Sequence, residues 1–202
     1  MENDKIKELA DKIKKLEKLL NDEVEENKKK FSYQIDKKRV CFRQDIKKLQ
    51  KMKAESVFRY VTEAPLPFLL SAPFIYGMIV PALFMDICVQ IYQAVCFPIY
   101  KIPKVKRDEY IIIDRNYLSY LNIFEKLNCI YCGYFNGLIA YVQEIAGRTE
   151  QFWCPIRHAK KIKAMHSRYH LFLEYGEYEH YKEELAKIRK MFDDLKEELN
   201  TL

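Results

Sequence analysis

Residues 65 to 100, PLPFLLSAPFIYGMIVPALFMDICVQIYQAVCFPIY, hold a single charged side chain, Asp86. A run this apolar must be taken out of water by lipid or by protein, and it constrains the chain more than any other feature. One membrane crossing needs about 20 residues, so the run exceeds one crossing yet falls short of two with a turn. Pro73, Gly77 and Pro81 interrupt its first half. Both flanks are basic. Lys37, Lys38, Arg39, Arg43, Lys47, Lys48, Lys51 and Lys53 precede it; Lys101, Lys104, Lys106 and Arg107 follow it. A single span would leave one basic flank on the wrong side of the membrane, whereas a hairpin that enters one leaflet and returns keeps both cytoplasmic. The expected arrangement is a Pro-bent, re-entrant or monotopic hairpin within residues 63–107, at the cytoplasmic face of the membrane. A single span and a buried core hairpin of a soluble protein are the alternatives. Asp86 is costly at membrane depth and needs a partner there, either Lys101 or a cation of the basic helix before it. At headgroup level it would carry little meaning.

The two ends of the chain read as long helices. Ile6, Leu9, Ile13, Leu16 and Leu20 follow a heptad seam with Lys and Glu between them. A less regular stripe through Ile35, Phe42, Ile46, Leu49 and Val57 continues without Pro or Gly until Pro65. One helix over residues 1–62 is expected, roughly 85 Å long at 1.5 Å per residue. Leu185, Ile188, Phe192, Leu195, Leu199 and Leu202 form a second seam. It belongs to an expected helix from about Ile156 to the end, approaching roughly 70 Å, with Gly176 as a break point. The fold class expected is all-α, with the terminal coiled-coil helices paired as an antiparallel stalk; homodimeric seams are the alternative. Scarce Gly (5) agrees with long helices over tight-turned β structure.

Between the apolar run and the C-terminal helix (166–202) lies a segment, 108–165, whose ligand-type residues are spaced for a metal. Cys129 and Cys132 are C-x2-C; Cys154 and His158 are C-x3-H. Zinc takes thiolate sulfur and imidazole nitrogen in a tetrahedron at about 2.0 to 2.3 Å. The intervening residues suffice for one helix that runs out and lets the chain return. Pro155 suits the first turn of a helix carrying His158. A closed Cys3His zinc site is expected, with iron as the other metal such a set accepts. Buried small hydrophobes or a redox-active C-x2-C are the competing readings. Glu144 and Arg148 could orient His158 from outside, act as a catalytic acid–base pair, or form a plain i, i+4 ion pair; the ion pair is preferred. His166 and His170, also at i, i+4, suit hydrogen bonding better than a second metal.

Net charge is +6, with acids interleaved among the bases, which is too mild for nucleic-acid binding. The N-terminal stretch lacks the apolar core of a signal peptide, and six cysteines in that setting are expected to be reduced. No phosphate-binding loop, dinucleotide fingerprint, nucleophile elbow or H-E-x-x-H motif is present. The stretches NCIYCGYFNGLIAY and EIAGRTEQFWCPIRHAKK resemble uncharacterised bacterial proteins of this size across roughly residues 64–165. That resemblance implies a bacterial origin and no activity. The expected function is a membrane-surface, metal-binding scaffold or adaptor. Its expected partners are membrane lipid and a protein, or a second copy, on the coiled-coil helices. The alternative is a membrane-associated metalloenzyme or thiol-redox protein acting on a lipid or quinone.

Overall fold

The structure, a computed structural model, describes residues 2–29, 33–36 and 39–195. Helices dominate, and the strands among the described residues form one short pair. The all-α expectation holds at that level.

The first helix, α1 (Glu2–Lys29), is well populated with Lys and Glu, and Lys12 bonds Glu8 one turn away at 2.6 Å. Its seam residues Leu9, Ile13, Leu16 and Leu20 are exposed. The expected single helix over 1–62 is not formed. β1 (Tyr33–Asp36) pairs antiparallel with β2 (Arg39–Phe42), Tyr33 opposite Phe42 and Ile35 opposite Val40. Aromatic and β-branched residues concentrate here, and they favour the pleated backbone over the helix. The chain resumes as α2 (Gln44–Met52) and α3 (Val57–Thr62), with Ser56 in extended conformation before α3. Ser is a favoured residue at such a start.

The apolar run is helical throughout: α4 (Leu66–Gly77) and α5 (Ile79–Tyr100) are separated by Met78 alone. Together they make one helical stretch of 35 residues, Leu66–Tyr100. Met78 has φ −65° and ψ −13°, which continues the right-handed sense, so the expected hairpin reversal within the run is absent. Instead α5 ends at Lys101, the one non-glycine residue with positive φ (57°) among the described residues. The Ile102 N–H bonds the Phe97 carbonyl at 2.9 Å and the Lys101 N–H bonds that of Pro98 at 3.3 Å, a Schellman-type stop.

After the short helix α6 (Arg107–Tyr110), the long helix α7 (Ile123–Trp153) begins at a reciprocal cap. The Asn122 N–H donates to Glu125 Oε2 at 2.8 Å, and the Glu125 N–H to Asn122 Oδ1 at 3.0 Å. Beyond α7 the expected C-terminal helix is replaced by irregular chain, a parallel bridge between Ile156 and Leu173, and the short α8 (Tyr181–Ile188). Neighbouring Phe172 and Leu173 in this irregular stretch are both buried. Of the second seam, Ile188 and Phe192 are buried in the core; Leu199 and Leu202 lie outside the described residues.

The chain divides into two compact units, Met1–Ile79 with Ile112–Asn136, and Val80–Ile111 with Gly137–Leu202. Nearly all buried side chains belong to the second unit: Phe97, Ile102, Val105, Leu138, Tyr141, Ile145, Phe172, Ile188 and Phe192. The first unit is held by aromatic contacts at the start of α7. Tyr60 stacks on Phe124 with centroids 6.4 Å apart, Tyr76 meets Tyr131 edge-on at 5.7 Å, and Asn128 bonds the Tyr76 hydroxyl.

Glycine matters where the connector crosses α7 in the second unit. A Cβ on Gly137 would sit 2.6 Å from the Tyr110 carbonyl oxygen and 2.8 Å from Ile111 Cα, so the connector passes α7 only because no side chain is there. Alanine favours a helix interior by about 1 kcal/mol over glycine. Overpacking against backbone costs about 1–3 kcal/mol. Gly137→Ala is therefore expected to lower the thermal midpoint by several degrees; a raised midpoint would show that the close crossing is not needed.

Candidate functional site

The second unit contains a helix with its polarity reversed. On α5 the buried positions are Ala82, Asp86, Gln93 and Phe97, at helical spacing. Phe84, Ile87, Ile91, Val95 and Ile99 occupy the other side and are 57–70% exposed. Two of these four buried positions are polar, while large apolar groups fill the outward side, unlike a helix on a water-soluble surface. Only 6% of the most apolar window of the Leu66–Tyr100 stretch is buried.

Each buried polar group on α5 is partnered. The Asp86 carboxylate receives the Arg107 guanidinium through Nη2 at 2.7 Å and Nε at 3.1 and 3.2 Å, and Gln90 Nε2 at 2.8 Å. Arg107, in α6, is thus a partner of Asp86. A fork of this kind suits guanidinium and carboxylate geometry and offsets the desolvation of the acid. Gln93 clasps the connector after α5. Its Oε1 accepts from the Val105 N–H at 2.6 Å, and its Nε2 donates to the Val105 carbonyl at 3.2 Å and to the Tyr141 hydroxyl at 3.0 Å. Burial pushes the Tyr141 phenol up; the Gln93 bond opposes this, the Asp86 charge adds to it, and the Arg107 charge opposes it. Tyr141 therefore stays protonated.

A second polar cluster lines the inner face of α7. Glu144 and Arg148 form a buried ion pair at 2.8 Å, the plainest of the readings their spacing allowed. Arg148 Nη1 also donates to the Pro103 carbonyl at 2.8 Å, and Ser167 Oγ donates to Glu144 Oε2 at 2.7 Å. His166 Nε2 lies 3.0 Å from Glu150 Oε2. Arg168, buried, donates to Gln151 Oε1 at 2.6 Å, to the Met191 carbonyl at 2.6 Å, and to Asp194. These bonds tie the irregular strap to α7. Neither Glu144 nor Arg148 bonds His158, whose backbone N–H donates to the Tyr169 hydroxyl at 2.9 Å and whose ring stacks on Tyr169 at 6.3 Å.

Of the four expected metal ligands, two lie in α7 and two follow it. Cys129 and Cys132 lie within its first turns, and Cys154 follows its last residue, still helical in its bond to the Glu150 carbonyl at 2.9 Å. The unbroken helix between the pairs rises roughly 35 Å. The excursion-and-return expected between the pairs is therefore not made. No helix starts at Cys154; the chain leaves α7 there, and His158 sits on the extended strap. Among the described residues no three His, Cys, Asp or Glu side chains are grouped to hold a metal ion. All six cysteines are free thiols. Burial pushes the Cys154 thiol up, and the Glu150 charge adds to it.

What the spacing of ligand-type residues missed is the polar lining itself: Gln93, Arg107, Gln151 and Arg168. The signal for Gln93 was present as a polar residue seven positions, two helical turns, after Asp86 and so on the same face of the run. Comparison with family models, curated proteins and solved structures found no match to this chain.

Burial holds His166 below its ordinary value of 6.5, against the pull of Glu150 and then Glu144, with the Arg168 charge adding to the lowering. The fold therefore prefers the neutral ring. Below about pH 6.5 the unfolded chain binds more protons than the folded one, so stability falls as pH falls. The thermal midpoint of the wild type is expected to drop more steeply from about pH 7 to about pH 5 than that of His166→Gln, by a few degrees. Parallel profiles would show that the ring does not titrate in this window.

Proposed function

We propose that this protein is a membrane-surface scaffold held to lipid by the outward apolar face of α5. The observation that carries the reading is the reversed polarity of α5, with Asp86 and Gln93 inside and Phe84, Ile91 and Val95 outside. Burying an exposed side chain of this size in an apolar phase gains about 1.5–3 kcal/mol, so even a few of them suffice to hold a protein at a bilayer. A contiguous apolar surface of this kind on a protein in water marks an interaction site. In this reading the protein lies at the cytoplasmic face of the membrane and α5 inserts as a monotopic element. The second unit covers the polar side of α5, as polar groups at membrane depth require. The exposed heptad seam of α1 recruits a partner helix, either a second copy or another protein. A metal has no part in this reading, because Cys129 and Cys132 lie in the first turns of α7 while Cys154 and His158 follow its far end.

The test is flotation with liposomes of mixed neutral and anionic phospholipid. The wild type is expected to float with the vesicles and to need detergent for solubility. The variant Phe84→Ser/Ile91→Ser/Val95→Ser, whose changes leave the inner face of α5 intact, is expected to stay in the aqueous fraction with unchanged helical circular dichroism. A wild type that stays soluble without detergent and ignores the vesicles would overturn the reading.

A further inference from the structure

Where the apolar face of α5 ends, the second unit forms a cleft of about 410 Å³ lined by Tyr100, Lys101, Phe152, Arg189, Lys190 and Phe192. We propose that this cleft binds the phosphate-bearing headgroup of an anionic membrane lipid. The inference rests on the membrane reading above and adds to it a defined lipid site.

Three features of the cleft point to that ligand. The first is charge. Lys101, Arg189 and Lys190 bring three cations to one small volume. Two helix C-termini, those of α5 and α8, also end beside it, and each contributes about half a negative charge. Their last carbonyls are partly neutralised by local bonds: Pro98 and Phe97 by Lys101 and Ile102, Leu185 and Lys187 by the N–H groups of Arg189 and Lys190. Three full positive charges outweigh the two partial negative ones, so the cleft favours an anion.

The second feature is aromatic lining at the correct level. Tyr100 stacks on Phe152 with centroids 5.0 Å apart and meets Trp153 edge-on at 5.2 Å. Arg189 lies over the Phe152 ring at 5.2 Å, and its Nε donates to the Phe152 carbonyl at 2.6 Å, which fixes the guanidinium at the cleft wall. Amphipathic aromatics collect at the headgroup level of membranes, next to the cations that reach for phosphate. The third feature is continuity. Ile99, 68% exposed, and Val95 lead along α5 directly to the rim at Tyr100 and Lys101. A lipid whose acyl chains lie against that face places its headgroup at the cleft. A free phosphate in solution would make no use of the apolar approach.

Trp153 is the only tryptophan in the chain and stands at the aromatic rim, half exposed, so it reports on the site. The full-length protein is reconstituted into vesicles containing phosphatidylcholine and phosphatidylglycerol, with brominated acyl chains placed on one lipid or the other at equal mole fraction. Brominated phosphatidylglycerol is expected to quench Trp153 several-fold more strongly than brominated phosphatidylcholine. Each cation near an anionic surface changes lipid affinity about five-fold, so Lys101→Gln/Lys190→Gln is expected to abolish the preference. Lys104→Gln/Lys106→Gln removes the same two charges outside the cleft and is expected to keep most of it. Circular dichroism and the Trp153 emission maximum check that both variants are folded. Equal quenching by the two lipids would overturn the cleft while leaving the membrane reading intact. No quenching by either would overturn both. Equal loss of preference in the two double variants would show diffuse charge attraction and no site. Loss of the preference in millimolar inorganic phosphate at constant ionic strength would show a soluble phosphate site and overturn the lipid assignment.

Discussion

The ion pair between Asp86 and Arg107, with Gln93 clasping Val105, is the constraint on which the second unit depends. An unpaired carboxylate taken out of water would be neutralised or would carry a penalty of several kcal/mol. Here it is met by a guanidinium fork and an amide from its own helix. That pairing lets α5 turn its polar residues inward. Once they face inward, the large apolar residues at the intervening positions must face outward, because the helical period fixes both sides together. The outward apolar face is a consequence of where the polar groups find partners.

The same economy of partners runs through the rest of the unit. The connector between α5 and α6 is irregular and partly buried, so its backbone groups need bonds that no regular element supplies. Gln93 serves Val105 in both directions, and Arg148 serves Pro103. The strap after α7 is held likewise by Arg168 and by Arg157, which donates to the His170 carbonyl at 2.8 Å and pairs with Glu174. Long cationic side chains thus do in this core what sheet hydrogen bonds do elsewhere. Each spends one charge on an acid and the remaining donors on backbone carbonyls, the use to which the guanidinium geometry is suited.

The dominance of helix and the boundaries of the apolar run were legible, because both follow from residue type and period. So was the Glu144–Arg148 pair, since i, i+4 neighbours meet whatever the tertiary fold. The route of the chain was not. Ligand-type spacing is a local statement, and C-x2-C followed by C-x3-H is equally compatible with a bend between the pairs or with a straight helix. NCIYCGYFNGLIAYVQEIAGRTEQFW contains no proline, and its glycines are tolerated inside α7, so the helix ran straight through. At the N-terminus the reverse occurred: no Pro or Gly marked the break, yet YQID and RVCF paired as strands. At the C-terminus, Ile188 and Phe192 match a heptad seam, but they satisfy the core of their own unit, and a seam cannot distinguish the two uses. Arg107 was legible only as one of a basic flank, because its role depends on a connector that folds back along α5.

The central claim is that the face of α5 opposite Asp86 lies in hydrocarbon, and Cys88, exposed on that helix, allows it to be measured directly. A nitroxide is placed on Cys88 after replacement of Cys41, Cys96, Cys129, Cys132 and Cys154 by serine, and the protein is reconstituted into liposomes. Collision rates with molecular oxygen and with a water-soluble nickel chelate then report the depth of the label. The account predicts frequent collisions with oxygen and few with the chelate. Chelate collisions as frequent as those at a label on residue 104, an exposed position of the connector, would place α5 in water and contradict it.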